Sequence, residues 1–285
     1  MKSQMQDSNF NVYLNPNGFN QVNWGICLDN SFSCLRQSWA SQWVGLPSVL
    51  QRCVSFLNLS SESLPTEASH MLLVAQAVAH EIEFECTQST AKPEPKYHNR
   101  LHTADVLTAM SVLIGIESKI QNKLDEEWVA CALLSAIAHD FGHSGNVNYA
   151  KSEIESETMQ KLWPLLSSHK VSSAWCHDLE CAILNSDFSL VQKNHESVRG
   201  KEFRYDQSWL SVYLNEADVM ASASSKFGPQ LGHALAQEWQ LIGFPAHQTV
   251  ATSQGRKAFL KQLIFSSNAS SLLRINESIF EELNQ

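Results

Sequence analysis

Apolar residues recur at helical spacing along most of the chain. Within 68–84, for example, leucine, alanine, valine and isoleucine stand three or four positions apart and form one broad stripe. The alternation of apolar and polar residues that is typical of strands is nearly absent. The pattern therefore predicts an all-α fold. The predicted helices are 46–57, 68–84, 99–120, 125–139, 148–166, 169–184, 206–224, 228–240 and 256–283.

The first 45 residues show no clear period. This segment, 1–45, is rich in aromatic residues, with Trp24, Trp39 and Trp43 among them, and we expect an irregular stretch that packs on the main domain. The remainder, 46–285, contains no internal repeat and no linker long enough to divide it. We therefore expect one multi-helix domain after the N-terminal segment.

Two short segments concentrate ionisable residues that a structural core does not need. His98 and His102 precede an apolar pattern of helical period, which would place both imidazoles one turn apart on one helix face. His139 and Asp140 end a second apolar helix, and His143 lies between two glycines just after it. A single histidine on a helix is more often a hydrogen-bonded structural residue than a ligand. Because buried ionisable groups are costly unless paired or bound to a metal, the two segments together predict a metal site.

The set of donor atoms indicates the chemistry of this site. His102, His139, Asp140 and one later carboxylate would form a mixed nitrogen and oxygen set that suits zinc, manganese or iron. Asp140 could bridge to a second ion, and a water between two such ions becomes hydroxide near neutral pH. His98 could then donate a proton to a leaving oxygen. An alternative makes His98 a ligand and His143 the acid, and spacing does not separate the two.

Charge and composition restrict the partners of the protein. The net charge is −9 and there is no basic run, which argues against nucleic acid or an anionic membrane as the main partner. Residues 1–17 lack the basic head and apolar core of a secretion signal. A membrane helix needs about 20 apolar residues in a row, and no apolar run approaches that length. The seven cysteines are scattered and form no C-x-x-C pair. We therefore expect free thiols in a reducing compartment, the cytoplasm.

Both histidine segments match long motifs of a known family. Residues 98–106 read H-N-R-L-H-T-A-D-V, and residues 139–148 read H-D-F-G-H-S-G-N-V-N. In these motifs the chain resembles the catalytic domain of the class I 3′,5′-cyclic nucleotide phosphodiesterases, within the wider HD-type metal-dependent phosphohydrolases. The resemblance implies a compact multi-helix domain, 46–285 here, with a dinuclear metal site between helices.

The resemblance also implies roles for individual residues. It makes His98 the general acid and Asp140 the bridge to a second ion, usually magnesium or manganese. His143 and Glu157 match family residues that contact the metal-bound water network, and Asp187 matches an aspartate near the pocket. The ligands of the tighter ion, usually zinc, would be His102, His139, Asp140 and Asp218.

The residues that hold the purine in the family are matched less closely. There, a glutamine amide bonds the base and a phenylalanine three residues later stacks on it. The helix pattern here suggests Phe259 as the clamp, which places Arg256 where the glutamine belongs. A shifted register gives Gln262 and Phe265 the right spacing but loses the apolar pattern. An arginine donates hydrogen bonds and cannot accept them, unlike the amide of a glutamine. This difference from the family motif leaves the base of the substrate unassigned.

Together, the motifs predict an enzyme of signal transduction with a small-molecule substrate. It would hydrolyse 3′,5′-cyclic nucleotides such as cAMP or cGMP to 5′-nucleoside monophosphates, with a metal-bridging hydroxide as nucleophile and His98 protonating the 3′ oxygen. A second hypothesis is another HD-type phosphohydrolase that acts on non-cyclic nucleotides. A third is a non-catalytic nucleotide-binding homologue, and the presence of every expected ligand argues against it.

Overall fold

A computed structural model of the protein describes residues 24–59, 64–88 and 94–285. Within these residues the chain forms thirteen α-helices, two short 3₁₀ turns and no strand, so the predicted all-α fold is confirmed. The first seven helices are α1 (Trp24–Ser41), α2 (Leu46–Phe56), α3 (Thr66–Gln88), α4 (Arg100–Gln121), α5 (Glu126–Ala138), α6 (Glu153–Ser168) and α7 (Ser173–Leu184). The others are α8 (Val191–Val198), α9 (Gln207–Ala223), α10 (Gly228–Leu241), α11 (Ser253–Leu260), α12 (Asn268–Leu272) and α13 (Ile275–Leu283).

Helix α4 forms the centre of the fold. Every residue from His102 to Glu117 is buried, and the helix packs against α1, α2, α5 and α9. Its N-terminus is capped by Asn99, whose side chain accepts hydrogen bonds from the backbone N–H groups of Leu101 and His102. Because neighbouring helices hold α4 from several sides, the residues at its N-terminus are fixed relative to α5 and α9.

Residues 24–41 differ from the expectation for the N-terminal segment. They form α1, whose apolar face is buried against the core, so the prediction of an irregular stretch was wrong for them. The helical period was obscured by aromatic and polar residues around that face. Arg36 on α1 makes two hydrogen bonds of 2.9 Å to the buried carboxylate of Asp105 on α4, and its guanidinium lies 4.3 Å from the ring centroid of Phe227. Residues 1–23 lie outside the described residues.

The chain enters α6 later than predicted. The Asn148 side chain accepts a hydrogen bond of 2.8 Å from the backbone N–H of Ile154, and Ser152 adopts a left-handed conformation with φ 50°. Both features keep the segment before α6 out of the helix. Pro164 lies inside α6, which continues beyond it. The second histidine motif therefore ends in a loop, and the helix that follows starts several residues later.

The single helix predicted over 256–283 is three helices, α11 to α13. Between the first two, the backbone N–H groups of Ser266 and Ser267 donate to the carboxylate of Glu216 on α9, at 2.6 and 2.8 Å. Arg274, with φ 58°, separates the last two. The buried acceptor on α9 thus interrupts the helical pattern and ties the C-terminal third of the chain to the core.

All seven cysteines are free thiols, in agreement with the expectation from their spacing. Among the helices within the described residues, none is long and apolar enough to cross a membrane. The cytoplasmic location stays a prediction.

Candidate metal centre and active site

Three separate parts of the fold bring four candidate ligands together. His102 lies in the first turn of α4, His139 and Asp140 follow directly after α5, and Asp218 lies on α9. The His139 Nδ1–H donates to the carbonyl of Ala136, one turn back on α5, at 2.9 Å. This bond fixes the ring and leaves the Nε2 lone pair of His139 available as a ligand.

The candidate ligand atoms lie at the distances expected around one cation. The Nε2 atoms of His102 and His139 are 3.4 Å apart. The Oδ1 atom of Asp218 lies 3.1 and 3.6 Å from these two nitrogens, and the Oδ2 atom of Asp140 lies 3.4 and 3.2 Å from them. With metal–ligand bonds of about 2.0–2.2 Å, a tetrahedral ion separates its ligands by about 3.3–3.6 Å, and an octahedral ion separates adjacent ones by about 2.8–3.1 Å. The cluster thus has the dimensions of a metal site.

The charges of the cluster also fit a bound cation. The Oδ2 atom of Asp140 is buried and has no hydrogen-bond partner within the described residues, which is costly for a carboxylate. Burial opposes protonation of His102, but the carboxylates of Asp140 and Asp218 raise its pKa to about 9. The same neighbours raise the pKa of His139 against the effect of burial. A divalent cation would replace the protons of the two imidazoles and would bind the unpartnered Oδ2 atom of Asp140. The group of His102, His139 and Asp218 could therefore hold a metal ion.

His98 lies just before α4 and not on it. Because Asn99 is the cap residue, the expectation that both histidines of the first motif share a helix face was wrong for His98. Its ring centroid nevertheless lies 5.8 Å from that of His102. The Nδ1 atom of His98 is hydrogen-bonded to the carboxylate of Glu238 on α10, which also accepts the backbone N–H groups of Tyr97 and His98 at 2.7 and 3.1 Å. Glu238, which the sequence did not single out, therefore sets the orientation of His98.

His143 stacks on His98, with ring centroids 3.9 Å apart. Its Nδ1 accepts the backbone N–H of Gly145 at 3.0 Å, so the proton of the neutral ring resides on Nε2. Gly145 supplies this N–H from a left-handed conformation, φ 80°, that favours glycine. Burial and the nearby His98 lower the pKa of His143 to about 4. His143 is therefore a neutral hydrogen-bond donor beside His98.

A comparison with known families agrees with this geometry. Residues 97–161 match the family model of the 3′5′-cyclic nucleotide phosphodiesterases. The matched segment is thus similar to the catalytic domain of the class I cyclic nucleotide phosphodiesterases. It contains both histidine motifs and covers less than a quarter of the 285 residues, so Asp218 and Glu238 lie beyond it. The match supports a metal-dependent phosphodiesterase.

Glu157 has none of the contacts described for the cluster. It is exposed on α6, whereas Glu155 is partly buried and accepts two hydrogen bonds from the amide of Asn148, at 3.1 and 2.9 Å. Burial raises the pKa of Glu155. Asp187 is buried and accepts the backbone N–H of Ser152 at 2.7 Å. Glu155 is thus the acid that packs on the second motif, and Asp187 holds the start of α6.

The residues expected to bind a base are brought together only in part. Phe259 and Arg256 line a small cavity of about 50 Å³ with Tyr97. The Arg256 guanidinium donates to Glu282 from Nε and Nη2 at 2.8 and 3.0 Å, and Nη1 and Nη2 donate to backbone carbonyls at the end of α9. Gln262 is exposed and donates to a carbonyl of its own turn at 3.1 Å. Arg256 is therefore engaged in holding the C-terminal helices to the end of α9.

A much larger cavity lies against the candidate metal centre. Its volume is about 500 Å³, and its wall includes His98, Asp140 and His143 together with the apolar side chains of Phe84 and Pro95. Ligand pockets in proteins commonly measure about 300–1,000 Å³. This cavity has the size to hold a nucleotide, with polar groups of the candidate metal centre and its neighbours at one wall.

Proposed function

We propose that the protein hydrolyses 3′,5′-cyclic nucleotides to 5′-nucleoside monophosphates. The observation that carries this proposal is the convergence of two imidazoles and two carboxylates on one point, beside the hydrogen-bonded pair of His98 and Glu238. In a phosphodiesterase domain this arrangement supplies a metal-binding group and a proton donor at one wall of a nucleotide-sized cavity.

Zinc is the tighter ion of the proposal. Two imidazole nitrogens and two carboxylate oxygens at these spacings suit it. A second ion, magnesium or manganese, would share Asp140 and otherwise bind water. When bound, the ions lower the pKa of a coordinated water and offset the negative charge of the phosphoryl oxygens. The zinc ligands would be His102, His139, Asp140 and Asp218.

His98 is the proton donor of the proposal. The Nδ1 atoms of His98 and His143 are used in hydrogen bonds to Glu238 and Gly145, so each ring offers only its Nε2. The side chains of His98, His143 and Glu238 could also form a second metal-binding group. Their hydrogen bonds favour proton transfer instead. Burial raises the pKa of Glu238, yet the bond from His98 lowers it overall. The resulting carboxylate stabilises an imidazolium that can protonate the departing 3′ oxygen.

The nucleoside of the substrate is assigned to the cavity of about 500 Å³. Its phosphate would lie at the wall that contains Asp140, His98 and His143, where the Nε2–H of His143 can donate to a phosphoryl oxygen. Phe84 and Pro95 offer an apolar surface to the base. The cavity at Phe259, about 50 Å³, has about a tenth of the volume of this larger cavity.

A second candidate function is hydrolysis of a non-cyclic nucleotide at the same centre. The engagement of Arg256 by Glu282 favours it, because the amide clamp of the family resemblance is not reproduced at that position. Incubation of the metal-loaded protein with cAMP, cGMP and nucleoside mono- and triphosphates, followed by product identification, separates the two. Release of inorganic phosphate from a monophosphate, with both cyclic nucleotides unchanged, would identify the second function.

The role of His98 is tested by His98→Asn. We expect metal content near that of the wild type, measured by mass spectrometry of the metals, and turnover reduced by about 10²- to 10⁴-fold. His80→Asn, at an exposed position of α3, is the matched control and should change neither quantity. If His98→Asn loses metal in proportion to activity, His98 is a ligand and the proposed proton transfer fails.

The metal centre is tested by Asp218→Ala. Removing one of two carboxylates from the cluster should empty the tight site, and the loss should be visible as reduced metal content after dialysis. A variant that keeps a full complement of metal would contradict the assignment of Asp218 as a ligand.

A further inference from the structure

A second pocket lies beside α8. Its volume is about 260 Å³, near the lower end of the about 300–1,000 Å³ range of ligand pockets. The wall of this α8 pocket includes His195, Arg199, Lys201, Trp209 and Ser266, and none of its lining residues lines the cavity of about 500 Å³. The α8 pocket is therefore separate from the proposed catalytic cavity.

His195 is the most unusual residue of the α8 pocket. Its side chain is 97% buried, since only 3% is exposed, and its Nδ1 lies 2.8 Å from the hydroxyl oxygen of Ser266. The Nε2 atom is also buried and has no hydrogen-bond partner in the part of the chain that the structure describes. Burial lowers the pKa of His195 to about 4, so the ring is neutral at pH 7. When the Ser266 hydroxyl donates to Nδ1, Nε2 carries the proton and requires an acceptor.

Two cationic side chains stand at the mouth of the same pocket. Arg199 and Lys201 flank Gly200 and are exposed. Neither side chain forms an ion pair with any residue of the segment 94–285. The acid at this wall, Glu196, accepts a hydrogen bond of 3.0 Å from Gln192. The pocket therefore has an excess of positive charge, although the chain as a whole is acidic.

Hydrogen bonds to Glu216 hold the polar wall of the α8 pocket in place. The backbone N–H of Ser266 donates to the fully buried carboxylate of Glu216 at 2.6 Å, and Ser267 donates to the same carboxylate from its backbone at 2.8 Å. A site whose groups are ordered before binding loses little conformational entropy when a ligand arrives.

We propose that the α8 pocket binds a small anion of the phosphate class, either inorganic phosphate or the phosphate group of a small organic monoester. Arg199 and Lys201 offset its charge, and the anion lies against the wall that contains His195 and Ser266. The volume leaves room for a short organic substituent. This site does not depend on the proposed phosphodiesterase reaction.

The test follows the His195 ring directly. Protein isolated with its metals, labelled with ¹⁵N-histidine and kept in phosphate-free buffer, is titrated with inorganic phosphate and separately with glycerol 3-phosphate. The His195 signals are assigned by their disappearance in His195→Gln or by their displacement in Ser266→Ala. The test variant is the double substitution Arg199→Gln/Lys201→Gln. The matched control is Lys193→Gln/Arg204→Gln, which removes the same charge from exposed positions outside the pocket.

We expect saturable shifts of the His195 signals. The double substitution in the pocket should weaken binding at least about tenfold, while the control should change it less than about twofold. Tighter binding of glycerol 3-phosphate than of phosphate identifies an organic monoester as the ligand, and equal binding identifies the phosphate group alone. The proposal is overturned if millimolar phosphate shifts only the histidines of the metal centre. It is also overturned if both double variants bind equally.

Discussion

The side chains of His98 and Glu238, 140 residues apart in the chain, are joined by a hydrogen bond between an imidazole Nδ1 and a carboxylate that is only 2% exposed. The other carboxylate oxygen accepts the N–H groups of Tyr97 and His98. The same acid thus fixes both the backbone and the ring of the proposed proton donor. This arrangement makes α10 part of the proposed active site, although it carries no motif.

Glu238→Gln should reduce turnover without removing metal. The amide does not carry the charge that stabilises an imidazolium at His98, so we expect kcat to fall by about 10²-fold, with KM nearly unchanged. Steady-state kinetics measures both kcat and KM. Glu277→Gln, at an exposed position on α13, is the control. An equal fall in metal content, or a pure KM effect, would rule out this positioning role.

Metal binding should release protons near neutral pH. Without a cation, the carboxylates of Asp140 and Asp218 outweigh burial and raise the pKa of His102 to about 9, and that of His139 is raised as well. A bound ion requires neutral imidazoles, so zinc binding at pH 7 should displace about two protons, and affinity should fall as pH falls. Calorimetry in two buffers of different ionisation enthalpy counts these protons. Binding with no proton release would show that both histidines are already neutral before the metal binds.

Arg256→Gln should destabilise the fold more than an exposed substitution does. The guanidinium is 12% exposed and joins Glu282 to carbonyls at the end of α9. Loss of these charged hydrogen bonds should lower the free energy of unfolding by about 2–3 kcal/mol, measured by urea denaturation. The neighbouring Lys257→Gln, which is exposed, should change it by less than about 0.5 kcal/mol. Equal stabilities for the two variants would contradict a structural role for Arg256.

The stability of the protein should depend on His195 in mildly acidic solution. Burial lowers its pKa from 6.5 to about 4, so the unfolded state binds a proton that the folded state does not. The stabilisation is complete above pH 6.5 and is lost as the pH falls towards 4, with a slope of at most about 1.4 kcal/mol per pH unit. Urea denaturation of wild type and His195→Gln across this range should give a shallower slope for the variant. Parallel curves would show that His195 is not buried in the neutral form.

The sequence predicted the all-α fold and the convergence of His102, His139 and Asp140 because spacing and buried charge carry that information, whereas Asp218 was implied by the family resemblance. It did not reveal Glu238, because a single acid in an amphipathic helix looks like a solvent-exposed residue. The positions of Glu155 and Glu157 were also not predictable, since the loop that delays α6 depends on hydrogen bonds made across the fold.

The hydrogen bonds that hold the Arg256 side chain could not be predicted from the local sequence pattern. Glu282, which accepts hydrogen bonds from Arg256, lies on another helix. The carbonyls at the end of α9 come within hydrogen-bond distance of Arg256 only in the folded chain. The helical period around Phe259 placed Arg256 on the correct helix but gave no information about its partners. The family resemblance and the helical register therefore suggested a base-binding position for a side chain that instead bonds Glu282 and the end of α9.

The hydrogen bonds between Arg256 and Glu282 give the last helix, α13, an influence on the small cavity at Phe259. Deleting α13 would free the guanidinium to turn towards that cavity and would leave the end of α9 uncapped. A shortened polypeptide would then differ from the full chain in the shape and charge of this small cavity. The metal ligands, which lie on other helices and loops, would keep their positions in sequence and fold.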